Sequence, residues 1–111
     1  MNMTMRRTAL SLAAATLMIA APITAPVFAA PVVVDTIAVG LGPWAVAFSP
    51  NGKKAYVANF FGDTVSAIKT STGDVTDTIN VGDGPYSLAF SPMGKQVYVA
   101  MVNIATVSVI R

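Results

Sequence analysis

The acid–base chemistry open to this sequence rests on aspartate alone, because the chain contains no histidine, cysteine or glutamate. General acid–base catalysis near neutral pH relies on histidine, glutamate or an aspartate in a strongly perturbing environment. Asp63, Asp74 and Asp83 each stand beside a glycine in a predicted turn, where a carboxylate caps backbone N–H groups. Asp35 and Asp77 occupy equivalent positions in two repeated segments and are not expected to form a close pair. The sequence therefore predicts no catalytic residues.

Metal ligands are equally sparse. A Ca²⁺ site built from loop aspartates and carbonyl groups is the alternative to turn capping, but no run of alternating acidic residues resembles a calcium loop. Transition-metal sites use histidine or cysteine, which are absent, and the serines have no histidine to serve as a base. We expect no metal and no cofactor.

Aromatic side chains offer the better case for a binding site. Trp44 and Tyr86 each directly follow a Gly-x-Gly-Pro segment, which we interpret as a tight turn before a strand and not as a phosphate-binding loop before a helix. Rings repeated at one end of neighbouring strands can stack on a sugar or another flat ligand, although packing between sheets is the alternative. Phe60 and Phe61 form an apolar connection that we expect at a subunit contact or in packing between sheets.

The elements that position these rings come from one segment that occurs twice. The segment 35–68 is written again at 77–110, with a constant offset of 42 residues and no gap. Shared positions include Gly40/Gly82, Gly42/Gly84, Pro43/Pro85, Phe48/Phe90, Ser49/Ser91, Pro50/Pro92, Gly52/Gly94, Tyr56/Tyr98 and Val65/Val107. A period near forty with four short apolar runs per unit is typical of a β-propeller, in which each blade is a four-stranded sheet. We expect the equivalent residues Tyr56 and Tyr98 to pack between neighbouring blades.

Turn-forming residues divide the chain into eight predicted strands. Their predicted bounds are 32–39, 44–48, 55–59, 64–69, 75–81, 86–90, 96–101 and 106–110. Ser49-Pro50-Asn51-Gly52 is the clearest turn signal between them. In chain order, these are one outer strand of a blade, then the four strands of a complete blade, then three strands of another blade. Together they amount to about two four-stranded antiparallel blades. Either several copies join into a ring, with the first strand of one chain completing the last blade of the next, or the chain is a fragment of a longer gene.

The residues Tyr56-Val57-Ala58-Asn59, followed by Asp63-Thr64-Val65-Ser66, Thr72-Gly73 and Ser91-Pro92-x-Gly94, resemble the YVTN-type β-propeller repeat. The likeness covers almost all of residues 30–111. It implies an all-β propeller in an exported protein, typically a binding or surface protein. Related propellers include lactonases and quinoprotein or amine dehydrogenase subunits, whose catalytic side chains find no match here. The second repeat departs from the pattern at Met101 and at 102–105, which leaves its turn geometry open and marks either an interface or sequence decay.

The first 29 residues have the pattern of a secretory signal peptide. Arg6 and Arg7 precede an apolar stretch at 9–21, Pro22 ends it, and small residues follow at Ala29 and Ala30. We place cleavage after Ala29 and expect export to the periplasm, the exterior or the cell surface. An uncleaved anchor is the alternative, although the apolar stretch is shorter than the roughly 20 residues a spanning helix needs. The sequence does not separate Sec from twin-arginine export.

Residues 30–111 are formally neutral. Their five basic side chains match their five aspartates, so the overall pI of 9.2 owes much to Arg6 and Arg7 and gives no indication of nucleic-acid binding. Without cysteine there is no disulfide framework either. Stability must therefore come from packing.

The sequence thus predicts an all-β fold of β-propeller blades, with a signal peptide at 1–29 and a partial propeller at 30–111 in units 35–76 and 77–111. We expect an exported, non-enzymatic binding or scaffold module; the alternative is a truncated copy of a propeller enzyme. Because two blades cannot close a ring, its partners are expected to be three or four chains in a ring or further blades of a longer protein. A small ligand or glycan at the channel mouth is the other expected partner, with no nucleic acid and no transmembrane segment in the mature chain.

Overall fold

The structure is a computed structural model in which residues 30–111 are described, so the predicted leader lies outside the described residues. Residues 35–111 form one compact unit, while 30–34 belong to a separate unit and are exposed without regular structure. Residues 30–111 contain seven strands: β1 Pro43–Phe48, β2 Lys54–Asn59, β3 Thr64–Lys69, β4 Asp74–Asn80, β5 Pro85–Phe90, β6 Val97–Met101 and β7 Thr106–Ile110. Within this described part, no helix has the length and apolarity needed to span a membrane.

The strands form two antiparallel sheets that follow the two repeats. The first sheet has the order β1-β2-β3-β4, and the second has the order β5-β6-β7. Each sheet begins with the same irregularity, between Pro43 and Ala45 in the first and between Pro85 and Ser87 in the second. The predicted all-β fold of propeller-type blades is confirmed, with four strands in one blade and three in the other.

The turn after the first strand of each sheet is built by the same serine. The Ser49 hydroxyl accepts a hydrogen bond from the Lys54 N–H at 3.0 Å, and the Ser49 carbonyl accepts one from Gly52 at 2.8 Å. Ser91 makes the equivalent bonds to Gln96 and Gly94. Gly52 and Gly94 adopt φ of 74° and 76°, a left-handed conformation that glycine reaches without steric cost. The predicted turn is confirmed in both repeats.

The connection at 102–105 keeps the backbone geometry of its counterpart despite its different side chains. Asp63 and Ala105, which are equivalent, adopt φ of 56° and 51°. The Phe60 N–H donates to the Gly42 carbonyl, and the Val102 N–H donates to the Gly84 carbonyl in the same way. The sequence departure in the second repeat therefore leaves the turn unchanged, at the cost of holding an alanine in the left-handed region.

The core lies between the two sheets. Val65 of β3 is buried with three residues of β6, namely Val97, Val99 and Met101. Tyr56 contacts Phe90 edge to face, with ring centroids 5.2 Å apart, so it packs between sheets as predicted. Its counterpart Tyr98 is exposed on the face of the second sheet that points away from the first, where residues 30–111 provide no third sheet. Its packing between sheets therefore stays a prediction.

The predicted strand at 32–39 does not form. Residues 30–39 carry no strand, because a strand needs a hydrogen-bonded neighbour and they find none in residues 30–111. Residues 35–39 lie instead over the outward face of the first sheet, where Val39 packs on Ala55, Val57 and Ile68. The other predicted strands form within two residues of their expected bounds.

Candidate ligand-binding site

The two innermost strands bring Trp44 and Tyr86 together. β1 and β5 lie side by side, and each carries its aromatic residue at its second position. Gly42 and Gly84, with φ of 65° and 75°, turn the chain immediately before each strand. The ring centroids of Trp44 and Tyr86 are 5.4 Å apart with an interplanar angle of 37°. The two residues singled out from the sequence are therefore direct neighbours.

Phe60 and Phe61 extend this contact into an aromatic cluster, which we define as Trp44, Phe60, Phe61 and Tyr86. Phe60 is half-buried against Trp44, with centroids 5.4 Å apart. Phe61 meets Phe60 edge to face at 5.1 Å and is itself largely exposed. Phe60 therefore takes part in packing within the chain, while Phe61 remains available at the surface. Their predicted role in a subunit contact stays a prediction.

Much of the aromatic surface remains open to solvent. Trp44 is 54% exposed and Tyr86 is 44% exposed, so neither ring is consumed by packing against the other. A shallow recess of about 230 Å³ adjoins Trp44 and is lined by Pro43, Ala45, Val46 and Val57. The cluster thus presents apolar ring surface next to an apolar recess, an arrangement that suits stacking and apolar contact more than ionic binding.

Carboxylates hold the loops beneath the cluster. The Asp63 Oδ1 accepts a hydrogen bond from the Gly84 N–H at 3.1 Å, which confirms the predicted capping role and ties the first sheet to the turn before Tyr86. The Asp83 carboxylate instead accepts from the Asn103 side-chain amide at 2.9 Å. At Asp74 the contact is reversed, because its backbone N–H donates to the Thr72 hydroxyl at 3.3 Å. Of the three predicted capping carboxylates, the structure therefore confirms Asp63, whereas Asp83 contacts a side chain and Asp74 takes part through its backbone.

A buried polar trio that the sequence did not single out lies in the first sheet. The Asn59 Nδ2 donates to the hydroxyl oxygens of Thr64 at 3.0 Å and Ser66 at 2.9 Å. Its Oδ1 is buried and has no hydrogen-bond partner among residues 30–111. A Cβ at Gly40 would come within 2.6 Å of the Asn59 Nδ2, so the amide is covered by the chain just before β1. The trio is closed to a ligand and acts in the structure of the sheet.

A second groove lies at the other end of the strands. It has a volume of about 450 Å³, runs between the two sheets, and is lined by Lys54, Lys95, Arg111 and one carboxylate, Asp77, together with Tyr56, Ile79, Phe90, Gly94, Val97 and Ile110. The sequence feature that could have indicated this groove is the presence of lysines directly after the Gly52 and Gly94 turns. Its charged residues are exposed at the surface, so their ionic interactions are weakened by solvent. We place the candidate site at the aromatic cluster because apolar surface there is both exposed and prearranged.

Among residues 30–111, no three aspartates approach one another closely enough to form a metal-binding group. The expectation of no metal stays a prediction.

The comparisons with known proteins bear on the fold. No protein-family model matches the sequence, and no curated protein matches it. Among solved structures, the chain is similar to hydrazine synthase from Kuenenia stuttgartiensis, with 28% identity and a TM-score of 0.63 over 68% of this chain. It is also similar to a functionally unknown protein from Desulfotomaculum acetoxidans, with 22% identity and a TM-score of 0.54 over 65% of this chain. The matched regions span only 21% and 27% of those two chains.

Proposed function

We propose that this protein is an exported β-propeller repeat protein that acts as a non-enzymatic binding module through its aromatic cluster. The observation that carries the proposal is the Trp44–Tyr86 contact, in which two rings 5.4 Å apart each keep about half of their surface exposed. Exposed aromatic surface on rigid strands makes contact area available without a large loss of side-chain entropy on binding. The YVTN-type pattern of the repeats supports the same class of function.

The ligand class follows from the chemistry of the cluster. Residues 30–111 are formally neutral and therefore provide no long-range field to attract a charged ligand. The rings and the adjoining recess offer apolar faces, while the described carboxylates nearby are engaged with loop groups. We assign a neutral ligand with a flat or apolar face, such as a sugar ring.

Export is part of the proposal and rests on the sequence of residues 1–29. The proposed cleavage after Ala29 gives a secreted chain that begins at Ala30. N-terminal sequencing of the protein recovered from a periplasmic or culture fraction tests this directly. A start at Ala30 supports export with cleavage, whereas an intact Met1 in the cell fraction contradicts it.

Binding can be followed through the protein's own fluorescence, because Trp44 is its single tryptophan. The probe is a panel of neutral hexose, N-acetylhexosamine and pentose oligosaccharides, titrated while Trp44 emission is recorded. We expect a saturable change for at least one sugar. Loss of a central aromatic contact costs about 2 kcal/mol or more, which weakens affinity roughly 30-fold. Tyr86→Ala should show this loss by fluorescence and Trp44→Ala by calorimetry.

Met93→Ala is the matched control. Met93 is a large, exposed apolar residue in the turn beyond β5, at the opposite end of that strand from Tyr86. Its replacement should leave sugar affinity unchanged. If the sugars leave Trp44 emission unchanged, or if Trp44→Ala and Tyr86→Ala bind as well as wild type, the aromatic-cluster site is rejected.

The competing hypothesis is that the chain is a partial copy of a propeller enzyme. Hydrazine synthase is an enzyme by name, and its likeness to this chain favours that alternative to a limited degree, because it involves only 21% of the enzyme's chain. Sequencing the DNA beyond the Arg111 codon separates the two hypotheses. Further 42-residue units there, past a frameshift or stop, would favour the partial copy.

A further inference from the structure

The stacked pair of sheets has two open faces, one at each end of the stack. The leading face belongs to the first sheet and carries Val46 and Phe48, both exposed. The trailing face belongs to the second sheet and carries Tyr98, Val107 and Val109, also exposed. Large apolar groups gathered on a sheet face mark an interaction surface more often than isolated ones do.

The trailing face has a buried counterpart within the same chain. Val65 is 0% exposed, whereas Val107, its equivalent 42 residues later, is 59% exposed. Likewise, Ala67 is buried while its equivalent Val109 is exposed. In the first sheet, the second sheet covers this face. In the second sheet, nothing within residues 30–111 covers the equivalent face.

The leading face shows the complementary relation. Phe48 is 63% exposed, whereas its equivalent Phe90 is partly buried in the core and contacts Tyr56 edge to face. Tyr98, the equivalent of Tyr56, is exposed on the trailing face. Tyr98 and Phe48 are therefore the equivalents of the two residues in the Tyr56–Phe90 contact. Both are exposed, and they lie on the two opposite open faces of the chain.

The unpaired backbone follows the same pattern. Within the described residues 30–111, β7 is an edge strand with no outer neighbour, whereas its equivalent β3 pairs with β4. Residues 35–39 are equivalent to 77–81, and Val39 packs on the first sheet as Val81 packs on the second. They lie where the outer strand of a preceding blade would lie, yet they have no strand beside them. Each chain thus has an unpaired strand edge at β7 and, at residues 35–39, a segment equivalent to the strand that would pair with that edge.

We propose that the trailing face of one molecule binds the leading face of a second copy of this chain, repeating between molecules the stacking that joins the two sheets within one. The internal interface supplies the template, because its two sides are equivalent to the two open faces. Contacts of this head-to-tail type form a closed ring when the rotation per subunit allows it. Three or four copies give six or eight blades, within the usual range of about 4–8.

The template also fixes the register between molecules. Val65 lies opposite Ile79 and Ala67 opposite Asp77 in the β3–β4 pair. The equivalent intermolecular pairs are Val107 with Ile37 and Val109 with Asp35. In the same arrangement Trp44 of one molecule contacts Tyr86 of the next, so that the aromatic clusters form a continuous ring at one end of the assembly.

The register is tested by cysteine cross-linking, for which the native chain has no competing thiol. Ile37→Cys protein and Val107→Cys protein are prepared separately, mixed and oxidised with copper phenanthroline. Residues directly opposite each other across an antiparallel pair have Cβ atoms about 4.5–5.5 Å apart, close enough for a slight adjustment to allow a disulfide. We expect a cross-linked dimer in the mixture and much less in either variant alone. A doubly substituted chain should give a ladder that ends at a closed ring.

The assembly is tested by sedimentation equilibrium of wild type, Phe48→Asp and Met93→Asp. We expect wild type and the Met93→Asp control to sediment as one discrete oligomer and Phe48→Asp to sediment as a monomer. Because Phe48 is exposed within one chain, Phe48→Asp should keep its strand signal in circular dichroism. A wild-type monomer across the accessible concentration range, or an oligomer that lacks the 37–107 cross-link, overturns the proposal.

Discussion

Val65 and Val107 offer a matched test of how the repeats stack. They are equivalent residues on equivalent strands of the two sheets, β3 and β7, but Val65 is 0% exposed in the core beside Val99 and Met101, whereas Val107 is 59% exposed. Replacing each by alanine removes the same atoms from two environments. The difference in unfolding free energy between the two variants therefore measures the stacking of the sheets.

The expected magnitudes follow from burial. Val65→Ala deletes two buried methylene equivalents, worth ~1.6 kcal/mol in transfer free energy, and the residual cavity adds up to about 1 kcal/mol. We expect a total loss of about 2–3 kcal/mol. Val107→Ala in a dissociated molecule removes groups that are already more than half exposed, so its cost should be only about 0.5 kcal/mol.

The assay is urea unfolding followed by circular dichroism at several protein concentrations, with Val75→Ala as a control on the exposed outer strand β4. If a second molecule covers Val107, the cost of Val107→Ala should rise towards that of Val65→Ala as concentration increases, because association stabilises the folded state by mass action. A Val65→Ala cost no larger than that of Val75→Ala would refute face-to-face stacking of the two sheets.

Other predictions concern the turns. Ala105→Gly should raise the free energy of unfolding by about 1 kcal/mol in urea titrations, because alanine at φ 51° is strained; a loss would contradict that strain. Asp63→Ala should lower it by ~1–2 kcal/mol through loss of the acceptor for Gly84 N–H, while Asp63→Asn, which keeps an acceptor oxygen, should recover most of it. Equal losses would exclude the hydrogen bond as the cause. Gly42→Ala should shift the unfolding midpoint further than Gly52→Ala, because both have positive φ but only at Gly42 does the added Cβ meet the Phe61 ring; equal shifts would contradict this packing.

The sequence predicted the sheet architecture well because the evidence for it is local and repeated. Ser-Pro-x-Gly turns and alternating apolar residues depend on near neighbours in the chain, and two occurrences of each confirm one another. The bounds of β3 and β7 were predicted without error for this reason. The left-handed φ of Ala105 was not predictable from its residue type, because alanine disfavours that conformation; the matching backbone bonds from Phe60 to Gly42 and from Val102 to Gly84 appear only in the structure.

The segment 32–39 shows where sequence reasoning fails. Its β-branched residues favour a strand, but strand formation also requires a partner edge, which is a property of the whole assembly. The same limit applies to Tyr98, which shares the Tyr-Val-Ala run of Tyr56, although within residues 30–111 only Tyr56 faces a neighbouring sheet. Residue propensity indicated which conformation or contact each residue favours. The arrangement of the sheets determines whether a partner is present for it.

For the candidate site, the sequence identified Trp44 and Tyr86 as equivalent residues but could not give their contact. Their 5.4 Å separation depends on how β1 and β5 sit side by side across the sheet interface. Phe60 was expected at a contact between subunits or blades, and its packing on Trp44 appears only in three dimensions. The charged groove lined by Lys54, Lys95 and Arg111 was missed because its residues come from both repeats.

The stacking of one repeat on the other is tested most directly by methyl NOE spectroscopy on labelled protein diluted into unlabelled protein. The account predicts cross-peaks between the methyl groups of Val65 and Val99, which share one buried cluster, and predicts that they persist on dilution because the contact lies within one chain. Val65 cross-peaks confined to residues 43–80, or cross-peaks to Val99 that vanish on dilution, would contradict it.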